Sequence, residues 1–417
     1  MNSEQLNDLD KLLASARQNP GLSLEQDFYC DTQIFELELT GVLARLWMMV
    51  GHVSGIPEPG QYFLYEIGRE SIIVIRESET KINAFHNVCR HRGSRICLDQ
   101  EGRKKRLTCP YHAWTYGMDG VLKAARHMPK GFDREDYRLH PCHIQVFEGL
   151  IFINLSTAQP PDLQSLYGSY RDFAVQQGLA RAKIANIKNY PTRANWKLVM
   201  ENFYECYHCP SSHPEYSAVH DRLKILARGA GKGTGPEAAE SEFAPVFDRW
   251  EAETRRMGHL TGVYPGGNEE TGEVRASRTF IKEGFLSETM DGKPACKVLM
   301  GNYRGFDGGV TVFVFNPLSI VQATNDFAVM TQFTPRGVRD TDVTFTWLVD
   351  ETAREGIDYD REDIAFFWDV TTRQDKKITE DNQAGVLSRA YRPGPYSIQE
   401  ANLRRLKTWY LERLSVN

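Results

Sequence analysis

No run of apolar residues in this chain approaches the 18 or so needed to cross a bilayer, so no membrane span is expected. The opening MNSEQLNDLDKLL is acidic and lacks the basic-then-apolar pattern of a secretory leader. Basic residues are not in excess. Fifty Lys and Arg against 55 Asp and Glu leave a formal net charge of −5, which argues against a nucleic-acid surface. There is no convincing G-x-G-x-x-G dinucleotide fingerprint and no flavin site. No internal repeat is visible. Cysteines number eight in 417 residues. Six of them (Cys30, Cys97, Cys142, Cys206, Cys209 and Cys296) are scattered and make no disulfide framework, as expected of a reducing cytoplasm.

The chain is long enough for two domains. Residues 1–45 read as a helical lead-in, with Leu6, Leu9, Leu12 and Leu13 and then Phe35, Leu37, Leu39 and Leu43 at mixed spacing. From about 46 to 157 the texture changes to short β-like runs broken by turn residues, such as Tyr62–Ile67, Ser71–Ile75 and Leu150–Leu155. Residues 158–417 mix helix and strand. RGAGKGTGPEAAESE, residues 228–242, reads as a loop. Three strands are expected between 308 and 350, and helix over 359–414. The basic run Arg103–Arg106 reads as a solvated loop, or else as a docking patch for an acidic electron carrier.

The chemistry is concentrated in two short motifs. Cys89-Arg90-His91 is followed, 17 residues on, by Cys109-Pro110-Tyr111-His112. Two thiolates and two imidazoles suit a [2Fe–2S] cluster in which one iron keeps Cys and the other takes His. Replacing thiolate by neutral imidazole removes negative charge and raises the reduction potential. A zinc site would accept the same residue types, but zinc fingers pair Cys with Cys and His with His. Here each pair is one of each, which favours the iron–sulfur reading. The stretch NVCRHRGSRICLDQEGRKKRLTCPYHAWTYGMDG, residues 87–120, resembles the Rieske domain of the Rieske non-haem iron oxygenase α-subunits. That resemblance implies an α+β protein: an N-terminal β-rich Rieske domain over 46–157, and a C-terminal α/β catalytic domain over 158–417 with an antiparallel sheet surrounded by helices, on which the lead-in packs.

A second metal site is read in NWKLVMENFYECYHCPSSHPEY, residues 195–216. His208 and His213 are five apart, which on an ideal helix sets them about 140° from each other. A helix that stops at Pro210 would let the chain turn back so that both meet one ion. Two His and one carboxylate form the facial triad of non-haem Fe(II) oxygenases, leaving positions open for O2 and substrate. The helix beginning at Asp363 offers Asp369, Asp375, Glu380 and Asp381 as the carboxylate. Stepping along it from Ile364 gives Trp368, Thr371, Asp375 and Ile378, an inward stripe, whereas Asp369 groups with Thr372, Arg373 and Lys376 on a solvent-facing side. The family places its ligand Asp in a similar acidic stretch, which Asp375 matches best.

By the same resemblance, Glu205 bridges the cluster and the iron. It is expected to hydrogen-bond His208 and, across an interface in a head-to-tail homotrimer, the cluster ligand His112. Asn202 is expected near the iron through a water. The family also implies O2 as co-substrate, a small-molecule substrate, and NAD(P)H electrons delivered by a separate flavin- or ferredoxin-type reductase. The segment E-N-F-Y-E-C-Y-H-C, with Glu rather than Asp at 205, is similar to the quaternary-ammonium subgroup acting on choline, betaine and carnitine. Phe203, Tyr204 and Tyr207 flank the iron loop and could meet an N-methyl ammonium through cation–π attraction. The alternative is an aromatic-ring dioxygenase forming a cis-diol.

Overall fold

The computed structural model describes residues 3–220, 237–265 and 275–414. The chain forms two compact units. One is Trp47–Pro161, and the other joins the segment up to Leu46 with everything from Asp162 onward.

In Trp47–Pro161, strands Ile82–His86, Glu70–Arg76, Gln61–Ile67 and Glu101–Arg103 lie side by side in that order, antiparallel throughout. The first three are rich in the branched and aromatic residues that suit a pleated surface. Ile72–Ile75 are completely buried. Met48–His52, Leu150–Asn154 and His143–Phe147 form a second sheet, and Leu107–Thr108, Thr115–Tyr116 and Leu122–Ala124 a third. The two Cys/His motifs sit at loops of this framework. One follows Ile82–His86, and the other is the tip between Leu107–Thr108 and Thr115–Tyr116. Both cysteines are packed into one core with Leu64, Ile73, Phe85 and Trp114.

The larger unit is built on an antiparallel sheet of Ala182–Thr192, Asp340–Asp350, Ala328–Gly337, Ser319–Ala323, Gly309–Asn316, Arg275–Phe280 and Gly262–Pro265, in spatial order. Pro191 and Pro265 lie in the two outermost strands, where a missing N–H breaks no ladder on the open side. Helix Arg361–Val386 packs on Ala182–Thr192 and on helix Trp196–Phe203. Its start is capped by Asp360, whose carboxylate accepts from the N–H groups of Glu362 and Asp363 at 2.8 and 3.1 Å. The α+β architecture agrees with the expected class. No described helix is long and apolar enough to cross a membrane.

Three local expectations are corrected. Residues 308–350 hold four strands, not three, because GVTVFVFNPLSIVQ folds back at Pro317-Leu318. Proline has no ladder donor, and Asn316 Oδ1 takes the Leu318 N–H at 2.9 Å to close the turn. The helical stretch 359–414 is interrupted after Val386 by Pro393-Gly394-Pro395 and restarts at a capping box formed by Ser397 and Glu400. Of the loop expected at 228–242, residues 228–236 lie outside the described residues, while Glu237 onward is helix to Arg256. Ala and Glu are strong helix formers there.

One buried charge ties three distant segments of the larger unit together. Glu38 of the lead-in is fully buried and lies 2.5 Å from Lys197 Nζ. It also accepts from Trp196 Nε1 at 2.7 Å and from the Tyr410 hydroxyl of helix Ala401–Leu414. Burial pushes the Lys197 pKa down, and the Glu38 carboxylate opposes it. Glu38→Ala leaves a buried ammonium without its counter-charge and is expected to cost about 3–5 kcal/mol. Urea unfolding checks this, with Glu38→Ala/Lys197→Met expected to recover much of the loss.

Candidate metal centres

The two Cys/His loops share one backbone design. Cys89 N–H donates to Ser94 O at 2.8 Å, and Gly93 N–H to Cys89 O at 2.9 Å. In the second loop Cys109 N–H donates to Trp114 O at 2.8 Å, and Ala113 N–H to Cys109 O at 3.0 Å. Each turn closes on a residue with positive φ, Gly93 at 78° and Ala113 at 57°. For alanine that conformation costs about 1–2 kcal/mol. Asn87, fully buried, braces the first loop from behind. Its Oδ1 accepts the Ile96 and Cys97 N–H groups at 2.9 Å, and its Nδ2 donates to Cys97 O at 2.8 Å.

The side chains fit a two-iron cluster. Cys89 and Cys109 are buried, and burial raises the Cys89 thiol, with the Tyr116 hydroxyl opposing and the nearby Cys109 sulfur adding to it. His91 and His112 rings meet edge to face at 4.7 Å, and His91 stacks on Trp114 at 4.8 Å. His91 Nδ1 is buried with no hydrogen-bond partner, an orphan that a metal would satisfy. His112 is exposed. A single ion would draw its donors into one tight group. Among the described residues, the only such group of three or more is elsewhere.

The tight group is His208, His213 and Asp375. His208 Nε2 and His213 Nε2 are 3.1 Å apart, and Asp375 Oδ1 lies 2.9 Å from His213 Nε2 and 3.4 Å from His208 Nε2. Donors about 2.1 Å from one ion at right angles stand about 3.0 Å apart, so the triangle has the size of one octahedral face. The other ring nitrogens are engaged: His208 Nδ1 with Glu205 Oε1, and His213 Nδ1 with Gln374 Oε1 at 2.8 Å. Those outer partners are acceptors, so both Nδ1 atoms carry the hydrogen and the Nε2 lone pairs face inward with the carboxylate. Such a point demands positive charge. Burial works against protonating His208, yet the Asp375 and Glu205 carboxylates bring it up to about 9. Burial likewise raises Asp375, but His208 and His213 hold it below the ordinary carboxylate range. A proton serves one edge of the triangle, whereas a divalent cation serves all three corners.

The local fold that makes the triangle differs from the expected one. Helix Trp196–Phe203, capped by Asn195 Oδ1 accepting from Lys197 N–H at 3.0 Å, ends well before Pro210. Pro210 instead lies in the first turn of the short helix Cys209–Ser212, and Pro214 starts Pro214–Val219. Proline is at home at a helix start, where its missing N–H has no partner to lose. His208 and His213 thus flank one short helix. Glu205 shapes the approach: its carboxylate also accepts from the Tyr207 N–H.

The expected absence of disulfides fails here. Cys206 and Cys209 are bonded, because the turn brings their Cα atoms to 4.9 Å. Asn202 stands beside the triad, its Nδ2 being 3.3 Å from His208 Nε2.

The rival carboxylates are occupied elsewhere. Asp369 is buried, not solvent-facing, because strand Ala182–Thr192 covers it; it accepts from Tyr190 OH at 2.6 Å and pairs with Arg373. Glu380 takes Lys376 and the Arg193 N–H, and Asp381 pairs with Lys377. Of the three expected aromatics, Phe203 lines the cavities beside Asp375, while Tyr207 is exposed and Tyr204 lines none of the described cavities around the triad. Tyr216 and Trp368 line the cavity instead. Trp368 was signalled by its place on the Asp375 stripe; nothing local marked Tyr216.

An electron-holding cluster unit in one chain with a two-His, one-carboxylate unit defines a class of O2-using enzyme. Residues 46–148 match the Rieske [2Fe-2S] domain, and 179–416 the ring hydroxylating alpha subunit (catalytic domain). The chain is 36% identical over 401 residues to the glycine betaine monooxygenase oxygenase subunit of Pseudomonas aeruginosa (strain UCBPP-PA14), covering 95% of this chain and 90% of the relative. It is 35% identical over 198 residues to the carnitine monooxygenase oxygenase subunit of Escherichia coli (strain K12), covering 46% and 52%. Its fold is similar to the crystal structure of the quaternary ammonium Rieske monooxygenase CntA with L-carnitine, with TM-score 0.69 and 22% identity over 95% of this chain and 97% of that one. The chain belongs to the ring-hydroxylating oxygenase α-subunit family. It is an oxygenase of Rieske type, with a [2Fe–2S] cluster and a mononuclear iron.

Asp375→Ala is expected to lose the mononuclear iron while keeping the cluster. Iron per chain should fall by one with acid-labile sulfide unchanged; retention of all iron would move the ligand elsewhere.

Proposed function

We propose that this protein hydroxylates an N-methyl carbon of a betaine-like quaternary ammonium compound and so demethylates it. The observation that carries this is the near full-length likeness to the glycine betaine monooxygenase oxygenase subunit. The aromatic lining of Phe203, Tyr216 and Trp368 beside Asp375 supports it, since a quaternary ammonium is best received by aromatic faces. In this reading, Cys89, His91, Cys109 and His112 hold the cluster, and His208, His213 and Asp375 hold the iron. Residues 46–157 serve as the electron-storing domain, and 158–417 with the 1–45 lead-in as the catalytic one.

When bound, the iron activates O2 with electrons passed from the cluster. The chain's own residues set where this happens. Glu205 holds the His208 Nδ1 proton so that Nε2 stays directed inward, and Asn202 offers an amide beside it. The aromatic walls exclude water and orient the cationic head. Two electrons, two protons and O2 give one oxygen to the N–CH3 carbon and one to water. The resulting N–CH2OH breaks its C–N bond as the hydroxyl proton is lost to solvent; the electron pair stays on nitrogen, and formaldehyde leaves with the tertiary amine.

Electrons come from NAD(P)H through a separate flavin- or ferredoxin-type reductase, in the cytoplasm. They pass between copies in a homotrimer, from the exposed His112 of one chain to Glu205 of the next. The hollow on the Glu205 side is lined by Glu205 and Glu400, while the cluster loops expose Arg92 beside Tyr111. That charge complementarity favours the head-to-tail arrangement.

Formaldehyde release matched to O2 uptake across a panel of betaines and aromatic acids tests the proposal, and a cis-diol from an aromatic acid with no formaldehyde from any betaine would overturn it. Glycine betaine should bind about 2- to 30-fold more tightly than 3,3-dimethylbutanoate, its uncharged-head isostere, if the cation is read by aromatic faces. Glu205→Gln, which keeps an acceptor for His208 Nδ1, should keep both metals yet lose turnover, so normal turnover in that variant would rule out the carboxylate bridge.

A further inference from the structure

Each of the ligands His213 and Asp375 has a sequence neighbour that reaches toward the other ligand's segment. Gln374 precedes Asp375, yet its Oε1 lies 2.8 Å from His213 Nδ1. Glu215 follows His213 by two, yet its Oε2 accepts from Gln374 Nε2 at 2.7 Å. The orientation of the Gln374 amide follows without ambiguity. A carboxylate only accepts, so the amide nitrogen faces Glu215 and the amide oxygen faces His213. That oxygen requires a hydrogen on Nδ1 and leaves the Nε2 lone pair pointed at Asp375, 2.9 Å away.

We propose that Glu215 and Gln374 form a reciprocal latch that positions the iron ligand His213 and couples it to Asp375, 162 residues away in the chain. The inference rests on the assignment of those two as iron ligands. Its physical content is polarity. Glu215 sets the amide, the amide sets the imidazole tautomer, and the tautomer presents the lone pair. The latch also joins helix Pro214–Val219 to helix Arg361–Val386, so that two ligands on separate elements keep their spacing when no iron is bound. The two histidines are held unequally. His208 leans on a full carboxylate, and His213 on a neutral amide with the carboxylate one step further out.

A swap of charge and amide tests it. Gln374→Leu removes the acceptor and should weaken Fe(II) retention about 10- to 100-fold in competition with a chelator. Gln374→Glu alone sets two carboxylates in hydrogen-bond contact and should weaken retention by a similar factor. Adding Glu215→Gln reverses the polarity: the new amide at position 215 would donate to the new carboxylate at position 374, whose other oxygen still accepts from His213. The double variant should return to within about threefold of the parent, a non-additive rescue that mere loss of packing would not give. Because the cluster lies in the other compact unit, circular dichroism and thermal unfolding of each variant report that the catalytic unit is folded, and the EPR signal of the nitric oxide adduct reports the iron geometry. Unchanged retention in Gln374→Leu, or a double variant no better than Gln374→Glu, overturns the latch. Asp375→Ala in parallel separates this failure from that of the ligand assignment, since it must lose iron for the assignment to stand.

Discussion

Three donor atoms aimed at one point are the constraint on which the catalytic unit depends. Two imidazole lone pairs and a carboxylate oxygen about 3 Å apart repel unless something positive sits among them. Holding them there takes a scaffold that cannot relax. Helix Trp196–Phe203 sets the approach, a short helix begun by proline separates His208 from His213, and the long helix carries Asp375 in from the far end of the sequence. Glu38, paired with Lys197 and bonded to Trp196 and Tyr410, anchors the first of these elements to both ends of the chain.

The cluster unit meets a different demand by different means. Its donors come from two loops that repeat one hydrogen-bond pattern, a turn closed from the residue four positions after each cysteine. The histidine offset differs between the loops, two residues in one and three in the other, without altering that pattern. Cysteines lie buried in the core while His112 remains at the surface. A centre that must exchange electrons needs an insulated interior and one exposed edge, and this burial gradient provides both.

Much of the candidate metal chemistry was legible from spacing because the expected ligands come in local pairs. C-x-H and C-x-x-H, and two histidines five apart, are short-range patterns, and Asp375 lay on a stripe that could be counted along one helix. What escaped was set by partners remote in sequence. Asp369 looked solvent-facing until strand Ala182–Thr192 covered it. Gln374 carried no signal, since a glutamine on a helix is ordinary until a histidine 161 residues away requires an acceptor. Cys206 and Cys209 looked scattered because their pairing depends on a turn that ends a helix earlier than Pro210 suggests. Within the sheet, Pro317 marks the fold-back that makes four strands of three, a turn that a continuous apolar run conceals.

By itself, then, the sequence determined which metals this protein can hold, because ligand type and close spacing are properties of short segments. The order of β-rich and mixed segments likewise set the fold class. Only the tertiary structure decided which carboxylate meets the two histidines, how their protons are held and which aromatic rings stand beside them. Those are contacts between elements far apart along the chain, and they exist only where burial makes an unpaired polar group too costly to leave alone.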